Sequence, residues 1–413
     1  MRAWPTPHLP VVPGEPISLR LHDVARDEVA PVEASDPARL YVCGVTPYDT
    51  THMGHAATYV TFDLVNRALR DGGRAVSYVQ NVTDVDDPLF ERAARDGVDW
   101  RDLGQDQIAL FLEDMTALGV IPPEHFMGVM ESMPVIIEAV QALVDRGVTY
   151  EVVEAGVRDT YLDLTAAGGL GELSHLSRET MLEFSAERGG DPQRPGKRDP
   201  LDPMLWRGER DGEPAWDAGA LGRGRPGWHI ECTAIAMEHL GERIDVQGGG
   251  TDLVFPHHEM SVVQAEALTG ERPFAAHTTH QAMVAYDGEK MSKSKGNLVR
   301  VSTLRGEGVD PMAIRLVLLA HHYRGEWEWT DADLTTAQER LACWRSGLST
   351  DGGPDASETI AAVRAALADD LDTPAALAAV DAWADLSLSA GGDVQSAPGE
   401  LARAIDGLLG IRL

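Results

Sequence analysis

Cysteine is scarce in this 413-residue chain: Cys43, Cys232 and Cys343 are the whole complement. So sparse and odd a set cannot build a disulfide framework, and it points to a reducing cytoplasm. Long apolar runs are missing too. None approaches the roughly 18 residues that a membrane span requires. The start, Met1-Arg2-Ala3-Trp4-Pro5, lacks the apolar stretch of a signal peptide. A soluble, cytoplasmic protein without a membrane partner is therefore expected. Positive charge is also short, with 35 Lys plus Arg against 66 Asp plus Glu and a net charge of −31. That field is ill suited to coating nucleic acid or anionic lipid, because such binding relies on Lys and Arg displacing counterions. No internal repeat is visible. What remains is ordinary globular composition, 43% hydrophobic and 24% charged. At about 150 residues per domain the length suggests two to three domains, enough to bury a core without a disulfide or metal staple.

The organisation reads as α/β. Leu40 to Cys43 is a buried-strand candidate closed by Gly44 and the Thr46-Pro47 turn. Phe62, Val65 and Leu69 then share one helical face, and Asp71-Gly72-Gly73 stops that helix. Ala75 to Val79 forms a second strand ending at Asn81-Val82-Thr83. Strand, helix and strand in this order imply a parallel sheet that binds its ligand at the strand C-terminal ends. Six segments are expected: an N-terminal extension at 1–38, the first half of an α/β domain at 39–120 and an insertion at 121–203. The second half of the domain follows at 204–297, then a linking helical region at 298–330 and a helical C-terminal domain at 331–413.

Two separated motifs suit phosphate chemistry. His52-Met53-Gly54-His55 sits between the first strand and its helix, where imidazoles, a close backbone and the helix dipole favour phosphate oxygens. Lys290-Met291-Ser292-Lys293-Ser294-Lys295 follows Asp287-Gly288, and its ammonium groups suit the charge that grows on a departing pyrophosphate. Either motif alone also describes a solvated turn or a lysine-rich surface loop. Both together, in this order in an α/β chain, resist that reading. Cys43 and Cys232 with His257 or His258 supply soft thiolates and an imidazole, a Cys₂His set suited to zinc with a fourth position open. Spacing does not separate the two histidines. Two lone cysteines could equally be core packing.

The two phosphate motifs resemble the HIGH and KMSKS signatures of class I aminoacyl-tRNA synthetases. Four further blocks are similar to the cysteinyl-tRNA synthetases in the same order over about residues 39 to 300: Tyr41–Gly44, Asn81–Asp87, Gly224–Cys232 and Asp252–Glu259. The resemblance implies a Rossmann-like catalytic domain with a parallel sheet, an inserted subdomain and a C-terminal helical bundle. It implies catalytic roles for His52, His55, Lys290 and Lys293, and one Zn²⁺ per chain on Cys43, Cys232 and His257. It also implies ATP as a substrate with Mg²⁺. Contacts to cysteine and the adenylate would come from Cys43, Gly44, Val45, Thr46 and Thr58, then Asn81, Val82, Thr83 and Trp228. Gly250, Thr251 and Asp252 would take the ribose, and Val284 the adenine.

Four departures from the synthetases stand out. Ser261 stands where a second glutamate is usual near the zinc, and Ala57 stands where Arg commonly follows. The insertion ends in Glu187-Arg188-Gly189-Gly190-Asp191-Pro192. The segment after Asp331 carries five Arg, no Lys and fourteen Asp plus Glu, a net of −9, unlike an anticodon-binding module. These features resemble a paralogous branch, the mycothiol cysteine ligases. That resemblance implies an ATP-dependent, AMP-forming ligation of L-cysteine to the amine of glucosaminyl-inositol through cysteinyl-adenylate, in a monomer that binds no nucleic acid. A compact cysteinyl-tRNA synthetase and a non-catalytic paralogue are the competing readings. His52 and Glu259 are candidates to deprotonate the acceptor amine.

Overall fold

The computed structural model describes residues 1–49, 51–286 and 298–413, with the backbone of Glu289 and Lys290. At its centre is a five-stranded parallel sheet. The order across the sheet is Ala275–Gln281, Ile244–Gly250, Ala38–Val45, Val76–Val82 and His125–Gly128. Its middle strand runs almost wholly buried, as expected for a sheet covered on both faces. The strand crossing reverses beside Ala38–Val45, because the chain builds outward on one side first and returns to the other much later. Ligands of open α/β sheets gather at such a point, beyond the strand C-terminal ends.

The helix Met53–Asp71 covers one face of this sheet. Phe62, Val65 and Leu69 are all buried on it, and each such side chain removed from water contributes about 1.5–3 kcal/mol. His52 caps its first turn, with Nδ1 accepting from the Gly54 amide at 3.1 Å. The helix gives out at Gly72. On the other face lie Trp228–Leu240 and Glu259–Thr269. Their side chains join Tyr41 and Val79 in a compact cluster around Cys43 and Cys232.

A second layer is inserted between the halves of the sheet. It holds the helix Val129–Asp145, the helix Arg178–Glu187 and a five-stranded antiparallel sheet. That sheet starts at Thr149–Glu154 and continues through Met204–Gly208 to Arg223–Pro226, so the inserted layer extends past residue 203. The strand His125–Gly128, by contrast, belongs to the central parallel sheet.

The C-terminal helices Asp331–Leu348, Ser357–Ala368, Thr373–Ala390 and Ala397–Ala404 share a continuous core with Met53–Asp71. A buried ionic clamp fastens them. Asp63 Oδ2 accepts from Arg67 Nε at 2.7 Å and from Arg315, while Oδ1 accepts from the Ile121 amide at 2.8 Å. The two guanidiniums then reach the carbonyls of Asp406, Gly407 and Leu409, which close the chain. Among the described residues, no helix is long and apolar enough to cross a membrane.

Candidate active site

A cleft of about 1020 Å³ opens above the strand ends, between the parallel sheet and the inserted layer. Its floor begins at Cys43 and Gly44. Gly44 is required by close approach: a Cβ there would lie 1.5 Å from the Asn81 carbonyl oxygen. Its amide donates to Asn81 Oδ1 at 2.8 Å, and Tyr41 donates to the same oxygen at 3.1 Å. Asn81 Nδ2 in turn donates to Thr83 Oγ1 at 3.1 Å. Asn81, Val82 and Thr83 are therefore buried behind the cleft wall, and their polar groups hold the strand end in register. Val45 and Thr46 do line the cleft, and Thr46 donates to Asp86 Oδ2 at 3.1 Å.

His52 and His55 stand at the helix N-terminus, stacked with ring centroids 3.7 Å apart, and both line the cleft with Thr58. Their ring nitrogens and the first-turn amides make this an anion-binding corner. Gly250, Asp252 and Val284 line the same cleft, whereas Thr251 lies beside it. Lys290 contributes backbone to the short strand Glu289–Lys290, and Lys293 lies outside the described residues.

At the base, one ligand atom each of Cys43, Cys232 and His257 lies within 4.8 Å of the others, and all three residues are buried. Zinc bonds of about 2.0–2.3 Å would place tetrahedral donors about 3.7 Å apart, so the set needs to contract by about an ångström at most. The donor chemistry fits a thiophilic ion. Ser261 is not among the ligands: its hydroxyl donates to the His257 carbonyl at 2.9 Å and steadies the turn Val254–His258. Burial pushes both thiols up. At Cys232 a hydrogen bond from Cys43 and the neighbouring His257 outweigh burial and hold it well below the usual thiol range, while Cys43 stays well above it.

Three further histidines surround this centre. Trp228 stacks on His257 at 4.3 Å, and His229 Nδ1 lies 3.0 Å from His257 Nδ1. His258 Nε2 lies 3.1 Å from Cys43 Sγ, and its Nδ1 lies 2.8 Å from His280 Nε2. Burial drives His229 and His258 well below the ordinary imidazole range and His280 down to about 3. His257 is the histidine whose ring nitrogen gathers with both thiols, whereas His258 lies against Cys43 and His280. Sequence reasoning missed His280; it shares the strand Ala275–Gln281 with His277, and neither carries a motif to betray it.

The inserted layer also touches the centre. Arg188 Nη1 donates to the Asp252 carbonyl at 2.7 Å and to the Phe255 carbonyl, so it holds the chain just before His257. This gives the Glu187–Pro192 segment a physical task that the sequence left open. Glu259 is spent elsewhere. Its carboxylate accepts from the Gly171 and Ser174 amides, each at 2.7 Å, and anchors the insertion outside the cleft lining. It is not placed to deprotonate an acceptor.

The sequence of residues 30–339 matches the family model described as tRNA synthetases class I (C) catalytic domain. The L-cysteine:1D-myo-inositol 2-amino-2-deoxy-alpha-D-glucopyranoside ligase of Streptomyces avermitilis is 58% identical over 413 residues, covering 100% of each chain. The ligase of the same name from Gordonia bronchialis is 58% identical over 412 residues, covering 100% of this chain and 99% of its own. The chain belongs to the class I synthetase family, in the branch of these ligases. The family fold is visible at low sequence identity too. Mycobacterium tuberculosis methionyl-tRNA synthetase bound by methionyl-adenylate superposes with a TM-score of 0.60 at 15% identity, covering 90% of this chain and 92% of that one. Agrobacterium radiobacter leucyl-tRNA synthetase in a ternary complex gives 0.61 at 12% identity, over 92% and 84% of the two chains. His52, His55 and Cys43 line one cleft, and Cys232 and His257 lie buried beside Cys43.

Proposed function

We propose that this protein joins L-cysteine to the amine of glucosaminyl-inositol at the expense of ATP, through cysteinyl-adenylate, releasing AMP and pyrophosphate. The observation that carries the reading is a single cleft lined by the helix end at His52 and His55 and by Cys43, the cleft-facing member of a buried Cys₂His set. The name carried by full-length relatives supplies the acceptor. Cys43, Cys232 and His257 would hold one zinc ion, which supplies a thiophilic open position for the substrate's sulfur that serine's hydroxyl fills poorly. Trp228 walls that position.

The cysteine carboxylate is directed toward the α-phosphorus of ATP along the ends of the strands Ala38–Val45 and Ile244–Gly250. Carboxylate oxygen bonds to phosphorus and pyrophosphate leaves. His52 and His55 donate to phosphate oxygens, Asp252 accepts from the ribose, and the backbone at Val284 meets adenine. Lys290 and Lys293 neutralise the charge growing on pyrophosphate. The amine then attacks the activated carbonyl and AMP departs. Free thiols call for a reducing cytoplasm. The net charge of −31 favours a small cationic amino sugar over polyanionic tRNA as acceptor.

The test is isotope exchange between pyrophosphate and ATP. Exchange should require cysteine, proceed without any acceptor and reject serine by orders of magnitude. Formation of ADP in place of AMP would refute the adenylate.

A further inference from the structure

Two acidic residues that line the cleft, Asp86 and Glu231, have no task in adenylation. Asp86 stands at the cleft wall just before the helix Asp87–Asp96, its Oδ1 accepting from the Asp87 amide at 2.9 Å and its Oδ2 from the Thr46 hydroxyl at 3.1 Å. Glu231 lines the same cleft from the helix Trp228–Leu240, 1% exposed, and its Oε2 has no hydrogen-bond partner. A buried polar atom left without a partner costs about 1–3 kcal/mol, which a ligand N–H would relieve.

The nearby cations are committed to another carboxylate. Arg225 pairs with Asp87 at 2.5 Å and with Glu213 at 3.1 Å, and Arg207 approaches Asp87 at 3.7 Å. Among the described residues, no Lys or Arg forms an ion pair with Asp86 or Glu231. The groups facing Asp86 are Thr46 and Tyr48 from the loop after the first strand, and Asp87 from its own helix. Arg225 faces it from the antiparallel sheet and Glu231 from the helix behind. Burial first, and then Asp87, push the Asp86 carboxyl up to about 6.

We propose that Asp86 and Glu231 form the seat of the acceptor amine, with Glu231 Oε2 accepting one N–H and Asp86 taking the ammonium proton before attack. The proposal rests on the cysteine-ligation reading above. An ammonium has no lone pair, so one proton must leave first, and Asp86 receives it. The nitrogen then bonds to the cysteinyl carbonyl carbon, and the carbon–oxygen bond to phosphate breaks with its electrons going to AMP. The second nitrogen proton passes to solvent as the amide forms. Glu231 needs no particular protonation state, since a carboxyl oxygen accepts in either form. Asp86 is a catalytic residue of this second step.

The experiment uses the full-length, metal-loaded protein carrying preformed cysteinyl-adenylate. Glucosaminyl-inositol is added to the wild type, Asp86→Asn and Glu231→Gln, and amide formation is timed. ATP–pyrophosphate exchange is measured alongside. In Asp86→Asn the ratio of amide rate to exchange rate should fall about 100-fold, the scale of a lost proton acceptor. Glu231→Gln should raise the KM for the amino sugar. Glucosyl-inositol, with a hydroxyl in place of the amine, should compete poorly with the amino sugar on the wild type and markedly better on Asp86→Asn. Equal losses in both half-reactions would overturn the proposal. So would a raised KM for cysteine with an intact acceptor step, which would put cysteine's own ammonium at this seat. If Glu231→Gln loses metal, Asp86→Asn decides alone. A wild-type adenylate untouched by the amino sugar would overturn the ligation reading and this seat together. A wild type that reacts while Asp86→Asn matches it would overturn the seat alone.

Discussion

Replacing Asp63 with Ala should loosen the active-site helix from its far end. Asp63 lies on Met53–Asp71, whose first turn carries His55 and whose cap is His52. Its side chain is fully buried, as is that of Arg315, and Arg67 is nearly so. The substitution leaves two buried guanidiniums without their carboxylate and frees the Ile121 amide that Asp63 Oδ1 accepts at 2.8 Å. Breaking a buried pair by removing one partner costs about 3–5 kcal/mol, because a buried charge is left uncompensated. The pH dependence has a definite sign. Burial opposes ionisation of Asp63, but Arg67 and Arg315 outweigh it and hold the carboxyl below its usual value. Its stabilising contribution is therefore complete above the unfolded-state pKa of about 3.9 and disappears as pH falls through the lower folded value. Thermal and urea unfolding of wild type and Asp63→Ala at pH 7, repeated toward pH 3, would measure this. The gap should be wide at pH 7 and narrow in acid. A loss below about 1 kcal/mol at pH 7, or a gap independent of pH, would refute the clamp.

Other outcomes follow from the site. Cys43→Ser and Cys232→Ser should each lose bound zinc and cysteine-dependent exchange together, measured by metal analysis and exchange rate; full zinc and normal exchange in both would remove the metal assignment. Lys290→Ala and Lys293→Ala should lower the adenylation kcat more than they raise the KM for ATP, as expected of groups that meet charge in the transition state. A pure KM effect would speak against that role. Arg188→Ala frees the carbonyls of Asp252 and Phe255 and should weaken metal retention about 10- to 100-fold, in the range of second-layer contacts. Zinc competition against a chelator reads it directly, and unchanged retention would leave the strap with no bearing on the metal.

Much of the framework was legible because local signals agreed. The strand around Cys43, the helix bearing Phe62, Val65 and Leu69 and the stop at Gly72 each follow from periodicity and glycine placement, and the structure has all three. Two thiols and an imidazole were readable as a candidate metal set, with His257 chosen over His258 only by the family resemblance; the strand bearing Cys43, the helix bearing Cys232 and the turn bearing His257 bring them together. What sequence could not supply was orientation. Asn81 and Thr83 end a strand just where a ligand contact is expected, yet their side chains are turned to each other and to Gly44. Glu259 sits two residues from His257, but it points into the insertion. Glu231 stands in the helix beside Cys232 and lines the cleft, and nothing in its neighbours foretells that one of its carboxyl oxygens is buried without a partner. Three of the four lysines in the chain fall at 290, 293 and 295, a concentration that composition alone could have flagged.

The central claim is the identity of the acceptor, and one measurement tests it most directly. Cysteinyl-adenylate is formed on the enzyme from radiolabelled cysteine, freed of ATP, and offered glucosaminyl-inositol or tRNA in separate single-turnover reactions over a range of salt concentrations. The account predicts rapid transfer of label to the amino sugar with little sensitivity to salt, and no labelled tRNA. Rapid tRNA charging that weakens steeply as salt rises, with the amino sugar inert, would contradict it.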